Sequence, residues 1–135
     1  MPERTLPRVL DTHAQAWWDG LRKHRLLLQH CADCGHPRMP PGPICPECWS
    51  DKHEWRAHVG TGTVTSFVWY MQPLDPRFTE VPYNVSLVAL DGGPVVVSNV
   101  LDVAFGALKI GDRVRARFCD EPAGFTSLMF VQENA

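Results

Sequence analysis

The sequence predicts a mainly β protein: an N-terminal helix, a small zinc ribbon and a C-terminal five-stranded barrel. Two Cys-x-x-Cys pairs, Cys31/Cys34 and Cys45/Cys48, predict the ribbon. Five short β-branched or alternating runs between Val64 and Gln132, separated by turn signals, predict the barrel. Apolar residues at partly helical spacing ahead of the cysteines predict the helix.

Residues 1–25 form the leader. Asp11 and Thr12 are suited to cap a helix start, and Ala14, Trp17, Trp18 and Leu21 give its apolar spacing. Residues 26–57 form the ribbon, with Pro40, Pro41 and Pro43 stiffening the loop between the cysteine pairs. Residues 58–135 form the barrel. Val64–Met71 is its first strand. Val85–Leu90 and Val95–Val100 follow as a hairpin around Asp91-Gly92-Gly93-Pro94. After the turn Ile110-Gly111-Asp112, Val114, Ala116 and Phe118 alternate with Arg113, Arg115 and Arg117, and Phe125–Gln132 is the last strand. Closure would remove exposed edges. The pattern fits an OB-type or an SH3-like barrel equally.

Composition bounds the function. The chain has 135 residues, 44% of them apolar, and a formal net charge of −2, so a packed core is expected and a strongly basic nucleic-acid binder is not. No apolar run is long enough to span a membrane, and the start Met-Pro-Glu-Arg carries no hydrophobic signal segment. A cytoplasmic location is expected. In that reducing setting, paired cysteines point to metal ahead of disulfides.

The spacing Cys31-x2-Cys34-x10-Cys45-x2-Cys48 lets two knuckles present four sulfurs to one ion. Four thiolates make a closed tetrahedral shell suited to Zn²⁺, with no open position for hydrolytic chemistry. Gly35 stands where a knuckle often needs positive φ, and Pro46 stiffens the second knuckle. Two disulfides are the bland alternative. A rubredoxin-like iron site, which would make the chain an electron carrier, is the other.

Elsewhere the chemistry is sparse. Cys119 has no identifiable base partner and reads as a small strand residue. His30 and His36 flank the first knuckle and are candidates to donate to its thiolates. Arg113, Arg115 and Arg117 share one strand face, either as a solvated surface or as a site for an anionic ligand. Trp17 and Trp18 point about 100° apart on a helix, so one is expected to pack inward and the other to meet a partner. Phe67, Trp69 and Tyr70 offer stacking surfaces to the competing reading, a nucleic-acid-binding OB module.

The whole chain resembles the zinc-ribbon plus OB-fold family once filed as domain of unknown function thirty-five. The features that carry it are Trp17-Trp18-Asp19-Gly20-Leu21, Leu27-Leu28-Gln29-His30-Cys31-Ala32-Asp33-Cys34-Gly35, Met39-Pro40-Pro41 and Cys45-Pro46-Glu47-Cys48. Trp55, Gly60-Thr61-Gly62-Thr63-Val64, Pro82-Tyr83-Asn84-Val85, Leu90-Asp91 and Ile110-Gly111-Asp112-Arg113-Val114 continue it. The resemblance implies a rubredoxin-like zinc ribbon before an OB-type barrel. It also implies a role beside acyl-CoA enzymes: an accessory subunit that stabilises a thiolase-fold partner (a thiolase, an acyltransferase or a side-chain-cleaving aldolase) and helps bind acyl-CoA. The partner would carry the catalytic residues, and this chain alone is not expected to be an enzyme. Two positions depart from the family pattern. Gly42 stands where an arginine is usual, so no ligand contact carries over there, and His24 stands where a helix-ending glycine is common.

Overall fold

The computed structural model describes residues 12–76 and 80–133. A 3-10 turn, Thr12–Ala14, leads into helix α1, Gln15–Arg22. Ala14 occupies the cap position and makes no side-chain cap, beyond the expected Asp11 and Thr12; Asp11 and the Thr12 side chain lie outside the described residues. The helix end is better made. The His24 N–H donates to Leu21 O (2.8 Å) and the Arg25 N–H to Gly20 O (2.9 Å), a Schellman closure with His24 in the left-handed region at φ 56°.

The ribbon is a three-stranded antiparallel sheet in the order β2-β1-β3: β1 Leu26–Cys31, β2 Pro37–Arg38 and β3 His53–His58. Leu26 and Leu28 on β1 are buried, and the strand ends on Cys31, which carries its sulfur to the first knuckle.

The barrel strands are β4 Thr61–Tyr70, β5 Tyr83–Leu90, β6 Val95–Ser98, β7 Val100–Leu101, β8 Arg113–Asp120 and β9 Thr126–Gln132. The sheet order is β6-β5-β4-β8-β9-β7. One sequence run thus supplies both ends of the sheet. Val95–Val100, read from sequence as a single strand, breaks at Asn99: β6 pairs with β5, and β7 crosses to pair parallel with β9, Val100 opposite Phe130. This parallel closure makes the barrel an OB-fold and separates it from an all-antiparallel alternative.

Asn84 makes the crossover possible. Its Nδ2 donates to Val100 O (2.8 Å), and its Oδ1 accepts from the Val100 N–H (2.9 Å) and the Ser86 hydroxyl (2.7 Å), all in a buried setting. The side chain replaces the ladder bonds that the chain forfeits where it changes partners. Two glycines set the close approaches at the start of β4. A Cβ on Gly60 (φ 88°) would lie 2.7 Å from Ala116 Cβ, and one on Gly62 would lie 2.6 Å from Ala89 O.

One core joins the three parts: Leu21 of α1, Leu26 and Leu28 of β1, and Val64, Val88, Val114 and Phe130 of the barrel. His58 adds a polar tie, donating through Nε2 to Asp91 O (2.7 Å) and accepting the Gly60 N–H at Nδ1 (2.9 Å). No helix among the described residues is long and apolar enough to cross a membrane.

Candidate metal centre and adjoining cleft

The two knuckles repeat each other bond for bond. In the first, the Gly35 N–H donates to Cys31 O (2.9 Å) and the Cys31 N–H to His36 O (3.0 Å). In the second, the Trp49 N–H donates to Cys45 O (2.9 Å) and the Cys45 N–H to Ser50 O (2.9 Å). The turn needs a left-handed residue in each copy. Gly35 supplies it at φ 79°, but the second copy uses Trp49 at φ 68°, where a side chain costs roughly 1–2 kcal/mol.

The four sulfurs lie within 4.8 Å of one another. Cys31 Sγ is 3.5 Å from Cys48 Sγ, and Cys34 Sγ is 3.6 Å from Cys45 Sγ. A tetrahedral shell with metal–sulfur bonds of about 2.3 Å places sulfurs about 3.8 Å apart. A disulfide would need about 2.05 Å, and none of the five cysteines is in one. The donor set therefore fits one ion held by Cys31, Cys34, Cys45 and Cys48. The Cys34 N–H, 3.4 Å from Cys31 Sγ, holds the Cys31 thiol down at about 6. At Cys48 the Ser50 N–H pulls the same way, but the neighbouring Cys31 sulfur and burial outweigh it and push the thiol up to about 12. A bound cation supplies the charge that lets all four sulfurs act as thiolates.

Of the two histidines beside the first knuckle, His30 meets its backbone, with Nδ1 3.3 Å from Gly35 O. Arg38 is buried and spent on the inter-knuckle loop. Its Nε donates to Gln29 Oε1 (2.6 Å) and its Nη2 to Gly42 O (2.8 Å), while the Gly42 N–H donates to the same Gln29 oxygen (2.9 Å). Gln29 Nε2 and Arg38 Nη1 are left without partners among the described residues. Nothing in the residue pattern announced this buried guanidinium, because arginine on a two-residue strand reads as exposed.

Trp17 is buried in the common core and Trp18 is half-buried, its ring edge-on to Phe125 at 6.2 Å. Both line a cleft of about 840 Å³ between α1, the ribbon residues Met39 and Pro40, and the barrel, with Val97, Leu128 and Met129 among its walls. The cleft was not legible in sequence, since its lining comes from six separated segments.

The three arginines stand on the exposed face of β8, and none lines the cleft. Arg113 donates to both Asp91 oxygens (2.8 and 2.6 Å) and pairs with Glu133, and Arg117 pairs with Asp102 (2.7 Å). The Arg115 side chain has no hydrogen bond or ion pair among the described residues. The aromatics of β4 are largely committed inside the chain: Phe67 and Trp69 pack on the core, and Tyr70 stacks on Tyr83 at 5.1 Å.

Family models place this geometry. Residues 18–54 match the ChsH2 rubredoxin-like zinc ribbon domain and residues 55–119 the ChsH2 C-terminal OB-fold domain. A DUF35 domain-containing scaffold protein of Methanothermobacter thermautotrophicus is 30% identical over 82% of this chain and 84% of its own length. The chain belongs to the DUF35 family. A second DUF35 scaffold protein, from Pyrococcus furiosus, is 34% identical over 73% of this chain and 72% of its own length.

Among solved structures, a chain of the Ltp2-ChsH2(DUF35) aldolase superposes with TM-score 0.86 at 31% identity, over 93% of this chain and 98% of that one. A DUF35 protein of unknown function from Sulfolobus solfataricus shares the fold, with TM-score 0.66 at 14% identity over 93% and 89% of the two chains. The probable enoyl-CoA hydratase alpha subunit of Thermomonospora curvata is 37% identical over 82% of this chain. The 3-oxo-4,17-pregnadiene-20-carboxyl-CoA hydratase alpha subunit of Mycobacterium tuberculosis is 36% identical over 78% of it. The chain spans about a third of the length of these two subunits, 34% and 33%.

Proposed function

We propose that this chain is a zinc-stabilised, non-catalytic accessory subunit of a thiolase-like acyl-CoA enzyme, and that it helps bind the acyl-CoA. The observation that carries the reading is the near full-length likeness to a DUF35 chain solved in an aldolase assembly. Two DUF35 relatives named as scaffold proteins, and two similar subunits named for CoA-ester hydration, support the same setting. The geometry supplies a means. Four thiolates close the metal shell, so the ion contributes folding free energy and leaves the chemistry to the partner. The apolar cleft beside α1 has the size of a small-molecule site, and we assign it to the apolar part of the acyl group. Trp18, on the cleft wall, meets the partner. Arg115, the arginine of the three left free among the described residues, is the contact we assign to the anionic CoA.

The test is co-purification of the tagged chain from its native cell, with mass spectrometry of what accompanies it. A thiolase-fold subunit in stoichiometric yield is the expected result. Recovery of the chain alone, or with nucleic acid, would overturn the reading.

A further inference from the structure

Trp49 is out of place by every local criterion. The turn at this position of the knuckle needs a left-handed residue, which the first knuckle meets with Gly35. At Trp49 the chain accepts φ 68° with a bulky side chain. The residue is 82% exposed. Among the described residues its ring makes no aromatic contact and its indole N–H donates no hydrogen bond. Strain without internal compensation is expected where a residue serves an external contact.

The surroundings specify what that contact is. Ile44, 48% exposed, extends the apolar tip on the same knuckle. Around it stand three exposed carboxylates, Asp33, Glu47 and Asp51, against one exposed lysine, Lys52; one oxygen of Asp33 accepts from the Ser50 hydroxyl. Four thiolates around a divalent ion add two further negative charges. The tip is therefore an indole set in an acidic field. Its complement is a basic surface, on which an arginine or lysine stacks over the indole while its neighbours meet the carboxylates. Nucleic acid and anionic lipid have the wrong sign.

We infer that the second zinc knuckle, from Ile44 to Trp49, is a docking tip for a basic protein surface, with Trp49 as its anchor. This rests on the proposed partnership and places one of its contacts on the thiolase-like subunit. The position is distinct from the α1 face that carries Trp18.

The experiment compares the parent chain with Trp49→Gly, both zinc-loaded, in titrations against the purified thiolase-like subunit. Melting curves and zinc content are measured alongside. Trp49→Gly removes the anchor and relieves the backbone together. It is expected to keep its zinc, to melt no lower than the parent, and to bind the subunit at least about tenfold more weakly. Parent affinity should fall between about 0.05 M and 0.5 M salt, because the charge attraction is screened. Equal binding by parent and variant would overturn the docking tip while leaving the partnership standing. A parent that binds no thiolase-like subunit would overturn both. A lower melting temperature in the glycine variant would show that the indole has an internal structural role. Blue-shifted Trp49 emission on neutral phosphatidylcholine vesicles would assign the tip to a membrane surface.

Discussion

His24 Nε2 donates to both carboxylate oxygens of Asp120, at 2.9 and 3.0 Å, across 96 positions of sequence. The same imidazole stacks on Phe118, with ring centroids 5.3 Å apart and planes 8° apart. The residue that closes α1 in a left-handed conformation thereby also fastens the helix to the end of β8. This is why a position suited to glycine carries histidine.

Two substitutions separate the roles of His24. Ala at φ 56° keeps the backbone strain and loses both contacts, whereas Gly loses the contacts and relieves the strain. Thermal melting is expected to rank parent first, His24→Gly second and His24→Ala last. His24→Ala melting above His24→Gly would show that the left-handed geometry is not retained in solution.

Asn84 should be intolerant of apolar replacement. Asn84→Leu leaves the Val100 N–H and C=O buried without partners, at about 1–3 kcal/mol for each group. Denaturant unfolding is expected to show a loss of several kcal/mol. A loss under about 1 kcal/mol would mean that the β6–β7 crossover finds other partners.

The hairpin turn between β5 and β6 is one acid-sensitive point of the fold. Arg113, then Thr61, hold the Asp91 carboxyl well below the usual carboxylate range. A depressed folded pKa stabilises above the unfolded value and is lost as pH falls through the folded one. The stability advantage of the parent over Asp91→Asn should be full above about pH 5 and should shrink progressively below about pH 4. Parallel pH profiles for the two proteins would contradict the assignment.

Arg115→Glu should weaken CoA-ester binding by the assembled complex, and the difference should narrow as salt rises. Unchanged affinity at low salt would return Arg115 to an ordinary solvated position.

Trp18→Ala is expected to weaken the complex at least about tenfold while zinc content and fold persist. Trp17→Ala, which opens the common core, is expected to lower the melting temperature of the free chain. Unimpaired binding by Trp18→Ala would move the partner contact off α1.

The legible parts of this protein were those written in local pattern. The cysteine spacing set the ion's four ligands, and Asp91-Gly92-Gly93-Pro94 set the hairpin. The alternation of Arg113, Arg115 and Arg117 with Val114, Ala116 and Phe118 set the strand and its faces. The break at Asn99 was hidden because Val95–Val100 is apolar throughout, and only the distant Asn84 reveals where the chain changes partners. The ion pairs of Arg113 and Arg117 were hidden for the same reason, since their carboxylates are 22 and 15 positions away. The cleft, assembled from α1, the ribbon loop and strands of the barrel, has no local signature at all.

An acyl-CoA turnover assay bears most directly on the accessory role. The thiolase-like subunit is held at fixed concentration and the zinc-loaded chain is titrated in. No turnover is expected from the chain alone, and activity of the mixture should rise and saturate at a fixed stoichiometric ratio. Turnover by the isolated chain, or activity of the partner indifferent to its addition, would contradict the reading of this protein as an accessory subunit.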